Sequence, residues 1–468
     1  MERSLTVRRR RLILGALGGS ALALLAACGQ QAGGIASPPP SAVSGQSSTA
    51  APTTAAASSG QATPAAKGKA SAPQGTVTGW YVFTGDSPQG KTMPQIADAF
   101  NKAHPGLTAN VQFGGASNGT EFAQKLLTAV AAGAPPDTMT IDVIWPSRFA
   151  SSNAITALDT YAKRDGVDFK DFLAAPLDAC TYKGQVYALP LQTGTLLLYY
   201  NKDLFKSVGL DPEKPPQTWD DLLAYAQKLT KTPDQWGLNI PIGHDEGPVW
   251  NWHCLVWQNG GELTNSDNTK DTFNDEKGVE ALQFWVDMVH KYKVATLSPP
   301  QQAFATGKFG MSTEVPSQIS YYEGAKVPFE FGTAVLPKKV GAASNTGGWN
   351  WAIAKGSKNP VGAWEWVKFA TNRDSLIAWN SRVTMIAPRQ SVRDDSNYQA
   401  FEKKETHWQA VMDTIPIMRI RPKLAGYLEW SNALGQQIEA AIYQRASVQD
   451  ALNKAAQDCD AILAKEPK

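Results

Sequence analysis

The chain has no surplus of charge of either sign. Its 468 residues include 44 Lys and Arg against 42 Asp and Glu, and no cluster of basic side chains occurs after Arg11. Proteins that bind nucleic acid gather Lys and Arg into a basic patch or stripe. The sequence therefore argues against a nucleic-acid partner. Its hydrophobic fraction of 43% is that of a globular protein, and its length suits more than one domain at roughly 100–200 residues each.

Cysteine and histidine are scarce, at four and five residues. Apart from Cys28, the cysteines are Cys180, Cys254 and Cys459, and no C-x-x-C motif or nearby histidine pair accompanies them. This spacing does not match a metal site, so we expect neither a metal nor a cofactor. In an oxidising compartment two of these three thiols could form a disulfide and leave the third buried. The sequence does not select the pair.

Long apolar runs are absent after Cys28, and so is the H-E-x-x-H motif of zinc hydrolases. A membrane-spanning helix needs about 20 consecutive apolar residues, and the H-E-x-x-H motif needs two histidines on one helix face. Neither a second membrane segment nor this class of metalloenzyme is expected. We predict that the chain is not an enzyme.

The N-terminus has the layout of an export signal. Residues 8–11 are four consecutive arginines, and residues 12–25 form an apolar stretch. A charged segment before a short apolar one is typical of a secretory signal peptide, and the stretch is short for a membrane-spanning helix. We therefore predict export, with an uncleaved membrane anchor as the alternative. The arginines also resemble a twin-arginine signal, so the export route stays open.

The apolar stretch ends in Leu25-Ala26-Ala27-Cys28, which resembles the lipobox of bacterial lipoproteins. The resemblance implies a signal peptide over residues 1–28, a lipid attached to Cys28, and anchoring to the cell membrane at the cell surface or in the periplasm. Residues 29–75 consist almost wholly of Ala, Ser, Pro, Thr, Gly and Gln. Such a segment cannot bury enough apolar surface to fold. We predict that it is a disordered linker.

From residue 76 onward the hydrophobic patterns alternate between strand and helix. Runs rich in β-branched and aromatic residues predict strands, and apolar residues at helical spacing predict the helices between them. The patterns follow in the order strand, helix, strand, helix, strand at residues 76–83, 93–100, 109–113, 121–132 and 138–145. This order is typical of a mostly parallel α/β sheet.

A long extended run at residues 189–201 contains Pro and Gly, and could leave one sheet and enter another. Later helices are predicted at residues 276–292, 360–371 and 447–464. Capping boxes are predicted at Thr218 with Asp221 and at Ser447 with Asp450. We expect two α/β lobes, each discontinuous in sequence.

Several short motifs follow one another along most of the mature chain. They are Phe100-Asn101-Lys102-Ala103-His104-Pro105-Gly106, Tyr182-Lys183-Gly184-Gln185-Val186-Tyr187, Tyr200-Asn201-Lys202-Asp203-Leu204-Phe205, Thr218-Trp219-Asp220-Asp221-Leu222, Gly347-Gly348-Trp349-Asn350-Trp351 and Pro388-Arg389. In this order they resemble the extracellular solute-binding proteins of ABC sugar importers. The resemblance implies a periplasmic-binding-protein-like (type II) α/β fold, in which two lobes are joined by a hinge and enclose a ligand cleft.

The resemblance also implies where the lobes lie and what they bind. An N-terminal lobe is expected over residues 76–191 and 338–387 and a C-terminal lobe over residues 192–337 and 388–468, with crossings near residues 192–195, 332–337 and 387–390. A ligand held by both lobes shifts the population toward the closed form. The implied partners of the monomer are a sugar or oligosaccharide and the ABC permease subunits that recognise the closed form.

Fifteen tryptophans supply candidate ligand contacts. A sugar ring packs its C–H face on an aromatic ring, and its hydroxyl groups need donors and acceptors around it. Trp145 follows a predicted strand, where α/β sheets place ligand loops, and Arg148 lies beside it. For Arg148 a salt bridge that supports the loop is the alternative. By resemblance, Trp349 and Asn350 belong to a Gly-Trp turn that family members use at the cleft.

Four further residues complete the candidate site. Trp250 is expected in a loop that also carries Asp245 and Glu246, at the rim of the cleft. Trp80 and Asp86 flank the end of the first strand, where Asp86 has a simple turn role as its alternative. By resemblance, Glu314 lies where the family presents cleft residues.

Two departures from the maltose-binding members argue against maltose itself. Pro316-Ser317 stands where those members have a stacking aromatic residue, and Gly194 stands where they have a carboxylate. The sequence does not name the sugar, and a binding protein for a polyol or a glycerol phosphate stays open. A secreted carbohydrate-active hydrolase is the other alternative, since it needs only two carboxylates placed across a glycosidic bond.

Overall fold

A computed structural model describes residues 73–116 and 119–467. The predicted signal peptide, Cys28 and almost all of the predicted linker lie outside these residues. Within them the strands are β1 (Gly75–Tyr81), β2 (Leu107–Phe113), β3 (Thr138–Asp142), β4 (Thr181–Tyr182), β5 (Gln185–Val186), β6 (Ala188–Gly194), β7 (Leu197–Asn201), β8 (Trp236–Asn239), β9 (Phe309–Glu314), β10 (Phe331–Ala334), β11 (Ser344–Asn345), β12 (Gly347–Ile353) and β13 (Met418–Arg419).

Helices account for most of the remaining chain. They are α1 (Pro88–Ala103), α2 (Gly119–Ala131), α3 (Pro146–Ser151), α4 (Asp159–Asp165), α5 (Ala174–Ala179), α6 (Lys202–Ser207), α7 (Trp219–Leu229), α8 (Glu246–Gln258), α9 (Glu276–His290), α10 (Gln318–Ala325), α11 (Pro360–Ala370), α12 (Arg373–Val383), α13 (Gln390–Arg393), α14 (Ser396–Lys404), α15 (Trp408–Thr414), α16 (Tyr427–Ile442) and α17 (Val448–Leu463). No helix of the described residues is long and apolar enough to cross a membrane.

Two separate sheets organise the fold. The first has the order β2-β1-β3-β12-β6, with β2, β1 and β3 parallel and β12 antiparallel to both of its neighbours. The second has the order β10-β7-β9-β8 and mixes parallel and antiparallel pairs. We call the elements around the first sheet the first lobe and those around the second sheet the second lobe. The predicted βαβ order at the start of the body is confirmed by β1, α1, β2, α2 and β3.

The first passage between the sheets lies beside the crossing predicted near residues 192–195. The extended run over residues 189–201 splits into β6 in the first sheet and β7 in the second, with Thr195 and Leu196 between them. The chain returns between β10 and β12, and there the Ser344 hydroxyl meets the first crossing. It accepts hydrogen bonds from the Thr195 hydroxyl (2.7 Å) and the Leu196 amide (3.1 Å) and donates to the Leu196 carbonyl (2.9 Å).

A third segment runs beside these two crossings. Strand β13 pairs in parallel with β11, and the Thr346 amide donates to the Arg419 carbonyl at 2.9 Å. The lobe boundary at residue 388 stays a prediction. The structure places Pro388 and Arg389 against the first lobe, since the Pro388 carbonyl accepts from the Leu173 amide and α13 and α14 both contact α12.

Two apolar cores hold the lobes together. The first includes Trp351, Trp364 and Trp366, all fully buried, and extends from the first sheet to aromatic residues beneath the second. The second gathers residues of α7, α8, α9, α16 and α17. The tryptophans on helices α7, α9 and α11 are therefore packing residues.

The disulfide that the sequence left open is not formed by the three cysteines in the described part of the chain. Cys180, Cys254 and Cys459 are all buried free thiols. They lie on different elements: Cys180 follows α5, Cys254 packs within α8 and Cys459 lies on α17, where its sulfur is 3.4 Å from the Trp430 carbonyl oxygen. Burial raises the pKa of the Cys254 thiol to about 12. These cysteines behave as small apolar core residues.

Candidate ligand-binding site

A cavity of about 180 Å³ is lined by residues of both lobes. The first lobe contributes the start of α2, the residues after β3, and β12. The second lobe contributes the start of α8, and α16. The lining residues are Gly119, Thr120, Asp142, Ile144, Trp145, His244, Asp245, Glu246, Trp349, Leu428, Ser431 and Asn432. The carboxyl end of a parallel strand such as β3 is where α/β sheets place their ligands.

Two tryptophans form the aromatic wall of this cavity. The rings of Trp145 and Trp349 meet edge to face, with centroids 5.3 Å apart and planes at 88°. Trp349 remains partly exposed, while Trp145 is 1% exposed and its indole N–H has no partner among the described residues. Apolar ring faces beside an unused donor suit a solute that carries both C–H groups and hydroxyls.

The backbone of β12 explains the position of Trp349. Gly348 has a φ of +153°, and a Cβ atom there would lie 2.4 Å from the Gln192 carbonyl oxygen of β6. Only glycine allows this approach of two strands. The β12–β6 register shifts between Trp349 and Asn350, with the extra residue in β6, whereas β12 pairs regularly with β3. Trp349 and Trp351 therefore lie on the same face of β12: Trp349 lines the cavity, and Trp351, farther along the strand, is fully buried.

Carboxylates also line the cavity. Asp142 ends β3, and its Oδ1 accepts the Ile144 amide at 3.2 Å. Asp245 caps α8, since its Oδ1 accepts the Gly247 amide at 3.2 Å, and Glu246 is the first residue of that helix. The pKa of Asp142 is raised to about 6, because burial and the nearby Glu246 raise it more than Arg421 lowers it. Three acidic side chains are thus among the lining residues.

A buried arginine lies behind these carboxylates. The Arg421 guanidinium is 2.6 Å from Glu246 Oε1, 3.1 Å from the Thr346 carbonyl oxygen and 3.5 Å from Asp142 Oδ1. Its side chain is 4% exposed. Burial alone would lower the pKa of Arg421, but Glu246 and its other neighbours raise it. Arg421 therefore stays charged and links Asp142 of the first lobe to Glu246 of the second.

Glu246 has further partners from α16. Its Oε1 accepts the Tyr427 hydroxyl at 3.0 Å, and its Oε2 accepts the Ser431 hydroxyl. A carboxylate held by three donors is fixed in orientation. Sequence reasoning noticed Glu246 as a rim residue but missed Arg421, which lies 175 residues away in the chain and belongs to no motif.

Four of the predicted ligand residues are not among the residues that line the cavity. Trp250 belongs to helix α8, so its expected loop position is wrong, and its ring packs on Gly347, where a Cβ would lie 2.8 Å from Cζ2. Asn350 is fully buried and donates to the Ile141 carbonyl at 3.1 Å. Arg148 pairs with Glu429 of α16 at 3.0 Å, which is the salt-bridge role. The Lys125 ammonium lies over the Trp80 ring, with its Nζ 5.0 Å from the ring centroid.

Asp86 and Glu314 also lie outside the cavity lining. Asp86 is exposed in the turn before α1, and a hydrogen bond with Thr84 lowers its pKa. Glu314 ends β9 and accepts the Ser312 hydroxyl at 2.7 Å. Burial raises the pKa of Glu314 to about 7. Of the predicted residues, the structure thus brings Trp145 and Trp349 together at one cavity.

Residues 85–92 match the sequence motif G-x-x-x-x-G-K-T of a phosphate-binding loop. In such a loop free backbone amides surround the phosphate. Here Ser87 caps α1 and accepts the Gly90 amide at 3.0 Å, and the Thr92 hydroxyl donates to the Pro88 carbonyl at 2.8 Å. A Cβ at Gly90 would lie 1.9 Å from the Thr84 carbonyl oxygen. The segment is a tightly packed helix start and not a phosphate loop.

One group among the described residues has donor atoms close enough to hold a metal. Carboxylate and imidazole atoms of Glu323, Glu405 and His407 lie within 4.8 Å of one another. Burial lowers the pKa of His407 to about 4, which keeps its ring neutral. The Glu405 carboxylate already accepts the His407 amide at 3.1 Å, and we assign no metal to this group.

A two-lobed α/β protein with a polar, aromatic cavity between its lobes is the architecture of a solute-binding protein. Residues 84–375 match the family of bacterial extracellular solute-binding proteins. The match covers more than half of the chain, and the chain belongs to this family.

Three relatives show what the chain is similar to. The sn-glycerol-3-phosphate-binding periplasmic protein of Pectobacterium atrosepticum is 25% identical and aligns over 69% of this chain and 76% of its own. The cyclic α-maltosyl-1,6-maltose binding protein of Arthrobacter globiformis is 28% identical, with a TM-score of 0.71 over 83% of this chain and 99% of its own. An ABC transporter solute-binding protein of Thermotoga lettingae bound to α-D-tagatose is 25% identical, with a TM-score of 0.73 over 83% and 99%.

Proposed function

We propose that this chain is the substrate-binding component of an ABC importer and captures a sugar or oligosaccharide outside the cytoplasmic membrane. The observation that carries the proposal is the cavity that is lined both by Trp145 and Trp349 and by the acidic side chains of Asp142 and Asp245. Indole rings pack against the C–H face of a sugar, and carboxylates accept its hydroxyl hydrogen bonds. Relatives that are named for sugar ligands support this choice.

Capture works through closure of the lobes. Because residues of α2, β3 and β12 face residues of α8 and α16 across the cavity, a ligand contacts both lobes only when they are together. A ligand that makes contacts in one state alone shifts the equilibrium toward that state. The permease would then distinguish the loaded form by the surface that closure creates.

We further propose that the ligand is released unchanged and that the protein acts as a lipid-anchored monomer. The family consists of binding proteins, and Glu246 is fixed by Arg421, Tyr427 and Ser431 as an acceptor. An acid catalyst has to deliver a proton to the leaving group, and this acceptor geometry suits a binding role. The other predicted ligand contacts stay predictions; they are Trp80, Asp86, Arg148, Trp250, Glu314 and Asn350.

Titration calorimetry on the mature body tests the proposal. A panel of sugars should contain a ligand that binds with 1:1 stoichiometry and is recovered chemically intact. Small-angle scattering should show a smaller radius of gyration in its presence, because the lobes close. Cleavage of the sugar would instead establish the hydrolase, and a panel without any saturable ligand would contradict the sugar assignment.

Trp349→Ala is the sharpest single substitution for this site. Loss of a stacking ring should weaken affinity by roughly 1–3 kcal/mol, about the contribution of burying one large side chain, while the midpoint of thermal unfolding changes little. Trp236→Ala is the matched control, because Trp236 is also partly exposed but does not line the cavity. Equal affinity of the Trp349 variant and the unchanged protein would remove Trp349 from the site.

A further inference from the structure

The charges around the cavity allow the class of solute to be narrowed. Three carboxylates line it, those of Asp142, Asp245 and Glu246, whereas no Lys or Arg is among the lining residues. The remaining titratable group is His244, an exposed side chain 3.7 Å from a Glu439 carboxylate oxygen. A ligand in this cavity therefore meets acidic groups at close range.

The nearby arginines are committed to other partners. Arg421 lies behind the carboxylates, almost fully buried, and its contacts are Glu246, Asp142 and a backbone carbonyl. Arg148 is paired with Glu429 at the rim. An arginine that recognises phosphate presents its planar fork to the ligand, and neither of these side chains is among the lining residues.

Helix N-termini are the other common phosphate binders, because the positive end of the helix dipole favours an anion. Among the described helices of eight or more residues, α2, α8 and α16 place residues of their first turn in the cavity lining. Each has an acidic residue in that turn, namely Glu121, Glu246 and Glu429, and Asp245 also caps α8. A phosphate at any of these helix ends would therefore lie near one of the protein's own carboxylates.

We propose that this site selects an uncharged sugar and excludes phosphorylated solutes, with Asp142 and Asp245 as the residues that determine this specificity. The inference rests on the proposed sugar-binding function and separates this chain from its glycerol-phosphate-binding relatives. The physical cause is like-charge repulsion in a partly buried cavity, where a carboxylate and a phosphate cannot both keep full hydration. Neutral hydroxyls, in contrast, donate hydrogen bonds to the same oxygens.

The test uses matched neutral and phosphorylated solutes on the mature protein. D-glucose, D-mannose, D-tagatose and maltose are each compared with the sugar 6-phosphate, or 6′-phosphate for maltose, and glycerol with sn-glycerol 3-phosphate. At low ionic strength the neutral member of a bound pair should bind about tenfold more tightly or better. This difference in affinity should become smaller in 0.5 M salt, because the electrostatic screening length is then about 4 Å.

Asp245→Asn tests the residue directly. Asparagine is as good an N-cap as aspartate, so α8 stays capped while one negative charge is removed. The affinity ratio of the neutral to the phosphorylated solute should then fall about threefold or more. Asp275→Asn is the matched control, because Asp275 is also an exposed N-cap aspartate, on α9, and does not line the cavity. This control should keep the full preference.

The outcomes separate the two proposals. If a sugar and its phosphate bind equally well, or the phosphate binds better, charge exclusion is wrong while solute capture stands. Charge exclusion by this site is also wrong if Asp275→Asn reduces the difference in affinity as much as Asp245→Asn does, because the net charge of the protein would then be responsible. If no sugar in either form binds, the sugar-binding function itself is wrong.

Discussion

At the scale of single residues, Asp271 is an acid in a place where a negative charge is costly. Its side chain is 3% exposed, its Oδ1 accepts the Trp430 indole N–H at 2.8 Å, and its backbone amide donates to Asp460 Oδ1 at 2.8 Å. Burial raises the pKa of Asp271 to about 8, and the neighbouring Asp460 adds to the rise. The native protein therefore holds a proton here at neutral pH.

This proton makes stability depend on pH. An unfolded aspartate has a pKa of about 3.9, so between about pH 4 and 8 the native state binds a proton that the unfolded state has lost. The contribution is fully present below the lower value and is lost as the pH rises through the upper one. Asp271→Asn, whose amide imitates the protonated acid, should flatten this fall by up to about 1.4 kcal/mol per pH unit.

Urea denaturation at several values between pH 5 and pH 8 measures the effect. Asp275→Asn serves as the control, because its carboxylate is exposed and should leave the slope unchanged. A variant at Asp271 with the same pH slope as the unchanged protein would show that this proton is not held in the native state.

Local pattern found the aromatic residues of the cavity and missed its central charge. Trp145 was recognisable because it follows a predicted strand, and Trp349 because its Gly-Trp turn resembles one that family members use at the cleft. Arg421 has no such signal: it is one of 44 basic residues, and only the tertiary contact with Glu246 distinguishes it. A charge that acts through a distant partner cannot be located from the residues around it.

At the scale of elements, the crossing segments depend on one hydroxyl. Ser344 is fully buried and bonds both Thr195 and Leu196. In Ser344→Ala the Thr195 hydroxyl and the Leu196 amide lose this partner inside the protein, which should cost about 1–3 kcal/mol of unfolding free energy.

Chemical denaturation checks the cost of this change. Ser381→Ala is the matched control, since its hydroxyl bonds only the Ile377 carbonyl within helix α12, and it should change stability much less. Equal losses in the two variants would mean that the crossing tolerates an unpaired amide, through rearrangement or water.

Hydrophobic pattern located several helices closely, and capping chemistry located some of their starts. The capping box at Thr218 and Asp221 is confirmed, with bonds of 3.1 and 3.0 Å. At Ser447 only half of the predicted box forms, because the hydroxyl accepts the Asp450 amide and also donates to the Asp450 carboxylate. The segment around Trp250 was misjudged as a loop, although Asp245 is a good N-cap for the helix that follows.

At the scale of the whole molecule, membrane attachment rests on a residue outside the described part of the chain. If Cys28 carries the lipid, Cys28→Ala should move the protein from the membrane fraction to the soluble fraction, because acyl chains supply the anchoring energy. Cys180→Ala is the control, since Cys180 is buried in the body. Retention of the Cys28 variant in membranes would point to an uncleaved helix.

The overall architecture was predictable because it depends on the order of strands and helices, and the spacing of apolar residues in the sequence indicates that order. The extended run over residues 189–201 even indicated where the chain changes sheets. The third crossing, expected near residues 387–390, stays a prediction. The segment that the structure shows beside the other two crossings is instead the strand of Met418 and Arg419, which has only two residues. Such a short pairing is stabilised by the partner strand and leaves almost no trace in the sequence.

The placement of Arg421 has a consequence for binding strength. Separating the lobes would pull its guanidinium away from Asp142, now 3.5 Å distant, and let water hydrate both groups. The free energy of that separation sets the fraction of the unliganded protein that is in the binding-competent conformation. The measured dissociation constant scales inversely with that fraction. Substitutions around this arginine should therefore retune apparent affinity for every solute by a common factor, even where they touch none of them.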